Sequence, residues 1–257
     1  MKLISFDLNA DMGFLKKPDI NEKIYLTYNI LHKPALLGIL GAIAGYKGYE
    51  ENSKFPEYYQ KLKHLKIGLE PLNSDKGNYS KTIITYSNTT GLASNEDGGN
   101  LIVTEQTLLK PSFRCYLLLD TKNNNERILY ERILRQEAEY LPYLGKNDFS
   151  AWWDKGCVKE YDYKEFDFTT DFYVSSIFLK ESAVVNHLVK LSSRQDREEV
   201  ENRFFYFERL PIDFDESLFQ YRLGDFVYSN ARFDKEMRFD HNSQFYLLDS
   251  SLVIQLF

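Results

Sequence analysis

Phe113-Arg114-Cys115-Tyr116-Leu117-Leu118-Leu119-Asp120, followed closely by Asn123-Asn124-Asn125, is the stretch on which the fold turns. Its first part reads as a strong strand. The asparagines then cap a helix bearing Ile128, Leu129, Ile133 and Leu134 at helical spacing and ending near Pro142. Toward the amino end, Ile4, Phe6, Leu8 and Ala10 alternate with Ser5, Asp7 and Asn9, the period-2 pattern of a half-buried first strand. Lys33-Pro34 opens an apolar run in which Leu36, Leu37, Leu40, Ile43 and Ala44 recur at helical spacing, with proline suited to the first turn. Gly38, Gly41 and Gly45 along this helix leave a groove for close packing, and glycines this dense require tertiary contacts to hold the segment.

Between these halves, Ile83-Ile84 and Leu101-Ile102-Val103 are short β-rich pieces around a polar connection that includes Asn95 to Asn100. That composition predicts a protruding hairpin or a mobile loop. One further strand, at Gly156-Cys157-Val158 or beyond, completes the order β-α-β-β-α-β. The chain is therefore predicted to be α+β, with the ferredoxin-like topology of RNA-recognition modules over residues 1–165. Phe172 to Leu179, Arg203 to Phe207, Phe226-Val227-Tyr228 and Phe245 to Phe257 predict a smaller β-rich region over 166–257.

The 257 residues are enough for a sizeable core without disulfides. Cys115 and Cys157 form no CxxC pair, which fits a reducing, cytoplasmic setting. The first ten residues alternate and include Asp7, unlike a secretory signal, and no apolar run reaches the length of a membrane span. The net charge of −6 argues against a nucleic-acid binder, but it is unevenly spread. Residues 1–90 hold 12 Lys and Arg against 9 Asp and Glu, and the remainder 20 against 29. A locally basic face can bind RNA, because binding depends on the local field; chance segregation of an ordinary solvated surface reads the same way.

His32, His64, His187 and His241 are scattered without metal-ligand spacing, and Asp213, Asp215 and Glu216 after Pro211 read as a turn leading into a capped segment. No glycine-rich nucleotide motif occurs, so neither a metal nor a cofactor is expected. What remains is a set of loop residues flanking the sheet: Phe14, Lys16, Lys17, Tyr25, Tyr28, Lys33 and Lys146. Lysines meet phosphates and rings stack unpaired bases, a combination suited to single-stranded RNA, although lysines are also common on any solvated face. Tyr140 to Ala151, with Pro142 and Gly145, predicts a shaped turn that presents Lys146 and Asn147 or simply a packed corner.

The segments GFLKKP (13–18), LTYNILHKPALLGILGAIAGY (26–46), EQTLLKPSFRCYLLLD (105–120) and YLPYLGKNDFSA (140–151) occur in the order found in one family, with an echo in FFYFERLP (204–211). The chain resembles the fifth CRISPR-associated (Cas) protein family, most like its type I-B members, over about residues 1–155. The resemblance implies a RAMP-type fold whose β-hairpin thumb corresponds to about residues 66–112. It also implies a subunit of the Cascade surveillance complex that holds the 5′ handle of the CRISPR RNA. Its partners would be that RNA and the backbone and large subunits, with target DNA met only indirectly and no membrane.

By this resemblance Phe14, Lys16, Lys17 and Lys33 are expected RNA contacts, and Lys146 and Asn147 belong to the PYLG loop; composition adds Lys81, Tyr86 and Asn88 in the thumb. Type I-C relatives are metal-independent processing endonucleases with a late lysine-histidine pair. Here Lys63-His64 is the one such dipeptide and lies too early, so no catalytic residue is expected. The alternative is an endoribonuclease using Tyr25, His32 or His64 as general acid or base on a ribose 2′-hydroxyl, and a third reading is a scaffold that touches only protein.

Overall fold

The alternating apolar residues of β1 (Lys2–Ala10) place Ile4, Phe6 and Leu8 on a buried face, and β1 sits at the centre of the main sheet. The computed structural model describes residues 1–18, 23–51, 54–89, 101–180, 202–235 and 244–257. The main sheet has the order β3 (Lys66–Leu72), β6 (Ser112–Leu119), β1, β7 (Ala151–Trp152), with β8 (Lys159–Tyr161) also on β1. The pairs are antiparallel, Lys2 opposite Leu119 and Ile67 opposite Leu117.

Helices α1 (Lys33–Ala44) and α3 (Asn124–Arg135) cover one face. Pro34 sits in the first turn of α1, and the helix is capped by His32, whose Nδ1 accepts from the Ala35 N–H at 3.3 Å. The apolar stripe Leu36, Leu37, Leu40 and Ile43 is fully buried. Asn123 caps α3 as expected, but the helix stops at Gln136, which is left-handed at φ 59° and donates back to Arg132 and Ile133, well before Pro142. A short helix that the sequence pattern did not reveal, α2 (Glu57–Leu62), lies on the glycine face of α1; a Cβ on Gly41 would overlap Tyr58.

A second sheet, β2 (Met12–Gly13), β5 (Ile102–Leu109) and β4 (Lys81–Ser87), holds a hairpin whose tip and Asn95 to Asn100 lie outside the described residues. Lys66–Leu72, expected inside the insertion, instead pairs in the main sheet, because Ile67 and Leu69 complete the core there. Gly156-Cys157-Val158 is not a strand. The chain leaves the sheet edge after β7 so that Trp153 can bury beside Phe6, and a single 3-10 turn (Lys155–Cys157) leads back to β8.

The opposite face of the main sheet receives β15 (Gln244–Leu248), paired on one side with β16 (Leu252–Leu256) and on the other with β9 (Tyr163–Glu165). Tyr246, Ile254 and Leu256 pack there on Leu3, Tyr116 and Leu118. Phe172 to Leu179 divides into β10 (Phe172–Tyr173) and β11 (Phe178–Leu179), since Val174 and Ile177 turn inward between them. The long pair β12 (Phe205–Asp215) and β13 (Gln220–Ser229) is joined by β11, while β14 (Arg232–Phe233) pairs with β10. Ile177, Leu210 and Phe226 enter the main core, so the carboxyl-terminal strands and the first part share it. Among the described residues no helix is long and apolar enough to cross a membrane.

Burial holds the His32 imidazole neutral, with its pKa lowered to about 3. Between pH 6.5 and 3 the unfolded chain binds a proton that the folded one refuses, so stability falls with falling pH. His32→Asn keeps a capping acceptor but does not titrate. Unfolding in urea at pH 6.5 and pH 5 is expected to show the parent losing about 1.5 kcal/mol more than this variant.

Candidate functional site

The chain leaving β2 folds back on itself. Lys17 N–H donates to Leu26 at 2.9 Å and Tyr28 N–H to Leu15 at 2.7 Å, while the Thr27 hydroxyl accepts from Leu15 N–H. The returning arm then joins the hairpin: Tyr25 N–H donates to Thr104 and Gln106 N–H to Tyr25, both at 2.9 Å. Lys16, Lys17 and the flank of β5 are thereby fixed side by side.

A turn at Pro142 to Phe149 locks this unit to the sheet. Phe14 N–H donates to Leu144 at 3.1 Å, Leu144 N–H to Phe149 at 2.8 Å and Ala151 N–H to Pro142 at 2.9 Å. Gly145 has φ 85°, and a Cβ there would overlap the Phe14 carbonyl, so only glycine fits. The turn carries Lys146 into the hairpin, where its Nζ donates to Glu105 Oε1 at 2.7 Å and to the Tyr86 hydroxyl at 3.1 Å. Burial opposes the charge on Lys146, but the bonds to Glu105 and Tyr86 hold its pKa above the ordinary value.

A second carboxylate anchors the other side. Glu208 in β12 accepts from the N–H groups of Asn29 and Ile30 at 2.9 and 3.0 Å and lies 3.6 Å from Lys17 Nζ. Burial raises its pKa, against those hydrogen bonds and Lys17. Lys81 Nζ donates to Asn29 Oδ1 at 2.8 Å, Asn78 Oδ1 at 2.9 Å and the Tyr79 carbonyl at 3.0 Å, and burial lowers its pKa.

Lys16, Lys17, Lys81, Tyr86 and Lys146 thus surround the root of the hairpin. Lys16 is exposed with its Nζ 3.8 Å from the Tyr25 ring centroid, and Asn147 is exposed beside Lys146. Phe14 and Tyr28, expected as stacking faces, are instead only 6% and 3% exposed, because both rings fill the space under the folded-back loop. Lys33 lies apart from the group. Its Nζ donates to the Phe257 main-chain oxygen at 3.0 Å, and burial lowers its pKa to about 8. Asn88 stands past the end of β4, donating its N–H to Leu101.

Tyr25, His32 and His64 occupy separate elements: Tyr25 bridges to β5, His32 caps α1, and His64 after α2 bonds Glu126 at 2.9 Å. His187 and His241 lie outside the described residues. Among the described residues no cluster of His, Cys, Asp and Glu could hold a metal. Sequence reasoning missed Glu105 and Glu208. Their signal is a single carboxylate in a strand-like segment rich in apolar or aromatic residues, Glu105 before Leu108 and Leu109 and Glu208 after Phe204 to Phe207.

These features define an α+β protein of antiparallel sheets and few helices, with a lysine-bearing loop clamped to a hairpin. Neither a family model nor a curated protein matches the chain. Solved structures share its fold, among them these two. A CRISPR protein from Archaeoglobus fulgidus superposes with a TM-score of 0.51 at 17% identity, covering 100% of this chain and 98% of that one. A chain of a CRISPR RNA-guided surveillance complex superposes with a TM-score of 0.50 at 12% identity, covering 88% of this chain and 90% of that one.

Gly145→Ala is expected to cost about 2–4 kcal/mol, from the left-handed backbone and the overlap with Phe14. Lys146→Met strands the buried Glu105 carboxylate at about 3 kcal/mol, the lower end for a broken buried pair because Lys146 is partly solvated. Urea unfolding measures both costs. Hydrogen exchange is expected to quicken selectively in residues 81–87 and 102–109 of Lys146→Met, and unchanged exchange there would remove the clamp.

Proposed function

We propose that this protein is a CRISPR RNA-binding subunit of a CRISPR RNA-guided surveillance complex, related to the fifth Cas family in its type I-B form. The observation that carries this reading is the lysine-bearing loop held against the hairpin root, on a fold shared with a chain of such a complex. The strand order β3-β6-β1-β7, with helices after β1 and β6, supports a ferredoxin-like core of the RAMP type. In this reading Lys81–Leu109 is the thumb. Lys16 and Lys17 meet phosphates of the 5′ handle, and Lys81, Tyr86, Asn88 and Asn147 extend the contact along the hairpin and the adjoining turn.

Lys146 acts mainly by positioning the thumb, since Glu105 already neutralises it, and Lys33 and Phe14 serve packing. Two buried carboxylates against four lysines leave this region modestly positive in an acidic protein. RNA would therefore bind here while the rest of the cytoplasmic subunit contacts backbone and large subunits. We assign no catalytic residue.

The test is to tag the protein in its native host, sequence any RNA that co-purifies and identify bound proteins. Guides with one fixed 5′ end, together with several complex subunits, are expected; recovery without RNA would overturn the reading. With purified protein and a labelled CRISPR repeat RNA, Lys16→Ala and Lys17→Ala are each expected to weaken binding. Each should also flatten the slope of log affinity against log salt by about 0.7. The same incubation in EDTA would reveal a discrete cut if the protein were instead a metal-independent endoribonuclease.

A further inference from the structure

A groove of about 660 Å³ runs along the outer side of α1, between α2, the 140–146 turn and the β12–β13 pair. Six tyrosines, Tyr46, Tyr49, Tyr58, Tyr140, Tyr143 and Tyr221, line it together with aliphatic residues of α1 and with Phe14 and Phe214. None of the described residues lining it is Asp or Glu, although the chain holds 38 such residues, whereas Lys16 and Lys146 do line it. Glycine makes the room. A Cβ on Gly41 would overlap the Tyr58 side chain, and one on Gly38 would meet the Tyr58 ring at 3.8 Å.

His32 also lines the groove and is only 4% exposed. Its Nδ1 is spent on the Ala35 N–H, which puts the ring proton on Nε2. The Tyr28 and Tyr221 rings meet the imidazole edge-on, 5.2 and 5.7 Å between centroids, and fix its plane. Among the described residues no hydrogen bond from Nε2 is formed, so the wall of the groove offers an imidazole N–H to a bound acceptor. The hydroxyls of Tyr49, Tyr58, Tyr143 and Tyr221 likewise bond no other described residue. Those of Tyr49, Tyr143 and Tyr221 lie near enough to Tyr58 to act on it electrostatically, and burial keeps Tyr58 protonated.

We propose that this groove takes one unpaired nucleotide of the bound RNA, with the base against the tyrosine rings, an acceptor on its edge receiving the His32 Nε2–H, and its phosphate toward Lys16. Ring walls, polar donors at their edges, an adjacent cation and no carboxylate together suit a planar ligand with a polar rim and a negative charge. The volume suits one nucleotide. The inference rests on the RNA-binding reading above and adds a place where a base, rather than the backbone alone, is recognised.

The experiment measures affinity of the whole chain for repeat-derived single-stranded RNA, using His32→Asn, Tyr58→Phe and Tyr143→Ala and a set of RNAs each with one abasic position. Tyr143→Ala is expected to weaken binding roughly 5- to 100-fold and His32→Asn roughly 3- to 10-fold. At one position, and only there, the abasic RNA should bind parent and variants alike, because the base they contact is gone. Asparagine preserves the helix cap, and if His32→Asn fails to fold, the two tyrosine variants carry the comparison.

Unchanged affinity in all variants, with the parent binding RNA, would overturn the groove and leave the RNA reading standing. Variants that weaken binding equally at every abasic position would also overturn it. Loss of co-purifying protein subunits with RNA affinity intact would assign the groove to a protein partner instead. A parent that binds no RNA, alone or in its complex, would remove the broader reading and this one with it.

Discussion

Everything around the hairpin root depends on the close approach of Gly145 to the Phe14 carbonyl. At that point the 142–149 turn and the chain leaving β2 share a hydrogen bond, from Phe14 N–H to Leu144, and no side chain could intervene. The approach sets where Lys146 emerges, and Lys146 in turn reaches Glu105 in β5. A backbone constraint of a few atoms thus fixes the angle between the main sheet and the hairpin. A shaped loop and a packed corner were both open from the sequence, and the turn is both at once: its backbone is packed, and its lysine points into a polar clamp.

Charge in this region is arranged by burial as much as by number. Glu105 and Glu208 are almost entirely withdrawn from water; Glu105 holds Lys146 and the Tyr86 hydroxyl, and Glu208 holds Lys17 and the Asn29 and Ile30 N–H groups. A buried carboxylate tolerates its desolvation only when donors surround it, so Asn29, Ile30 and Lys17 are drawn together by Glu208. The lysines nearest these carboxylates therefore act as positioning groups. Lys16, held over the Tyr25 ring with its ammonium exposed, keeps the most open charge of the four. An acidic chain can in this way keep one modestly basic surface, beside a groove whose described lining residues include no carboxylate.

The carboxyl-terminal strands are part of this arrangement. Phe257 exchanges backbone hydrogen bonds with Ile67 at the edge of the main sheet, and β12 brings Glu208 to the turn before α1. Leu210 and Phe226 fill the core beneath it. The loop that presents Lys16 and Lys17 is consequently stabilised by residues nearly two hundred positions away, which are as much a part of the site as the lysines themselves.

Local patterns in the sequence determined much of the frame. Alternation in Ile4 to Ala10, the apolar run Phe113 to Leu119, the spacing of Leu36, Leu37, Leu40 and Ile43, and the asparagine cap of α3 each specify an element without reference to the rest of the chain. The glycines of α1 foretold a close-packed face, now seen under Tyr58. Only the tertiary structure decided that Lys66–Leu72 belongs to the main sheet, that Phe14 and Tyr28 are buried, and that His32 caps a helix in the wall of a groove. The division has a physical cause. Periodicity and capping depend on neighbours within one turn of helix or one stretch of strand. Burial of a ring, partnering of a lysine and convergence of tyrosines from four segments depend on contacts between residues far apart in the chain, which no local pattern encodes.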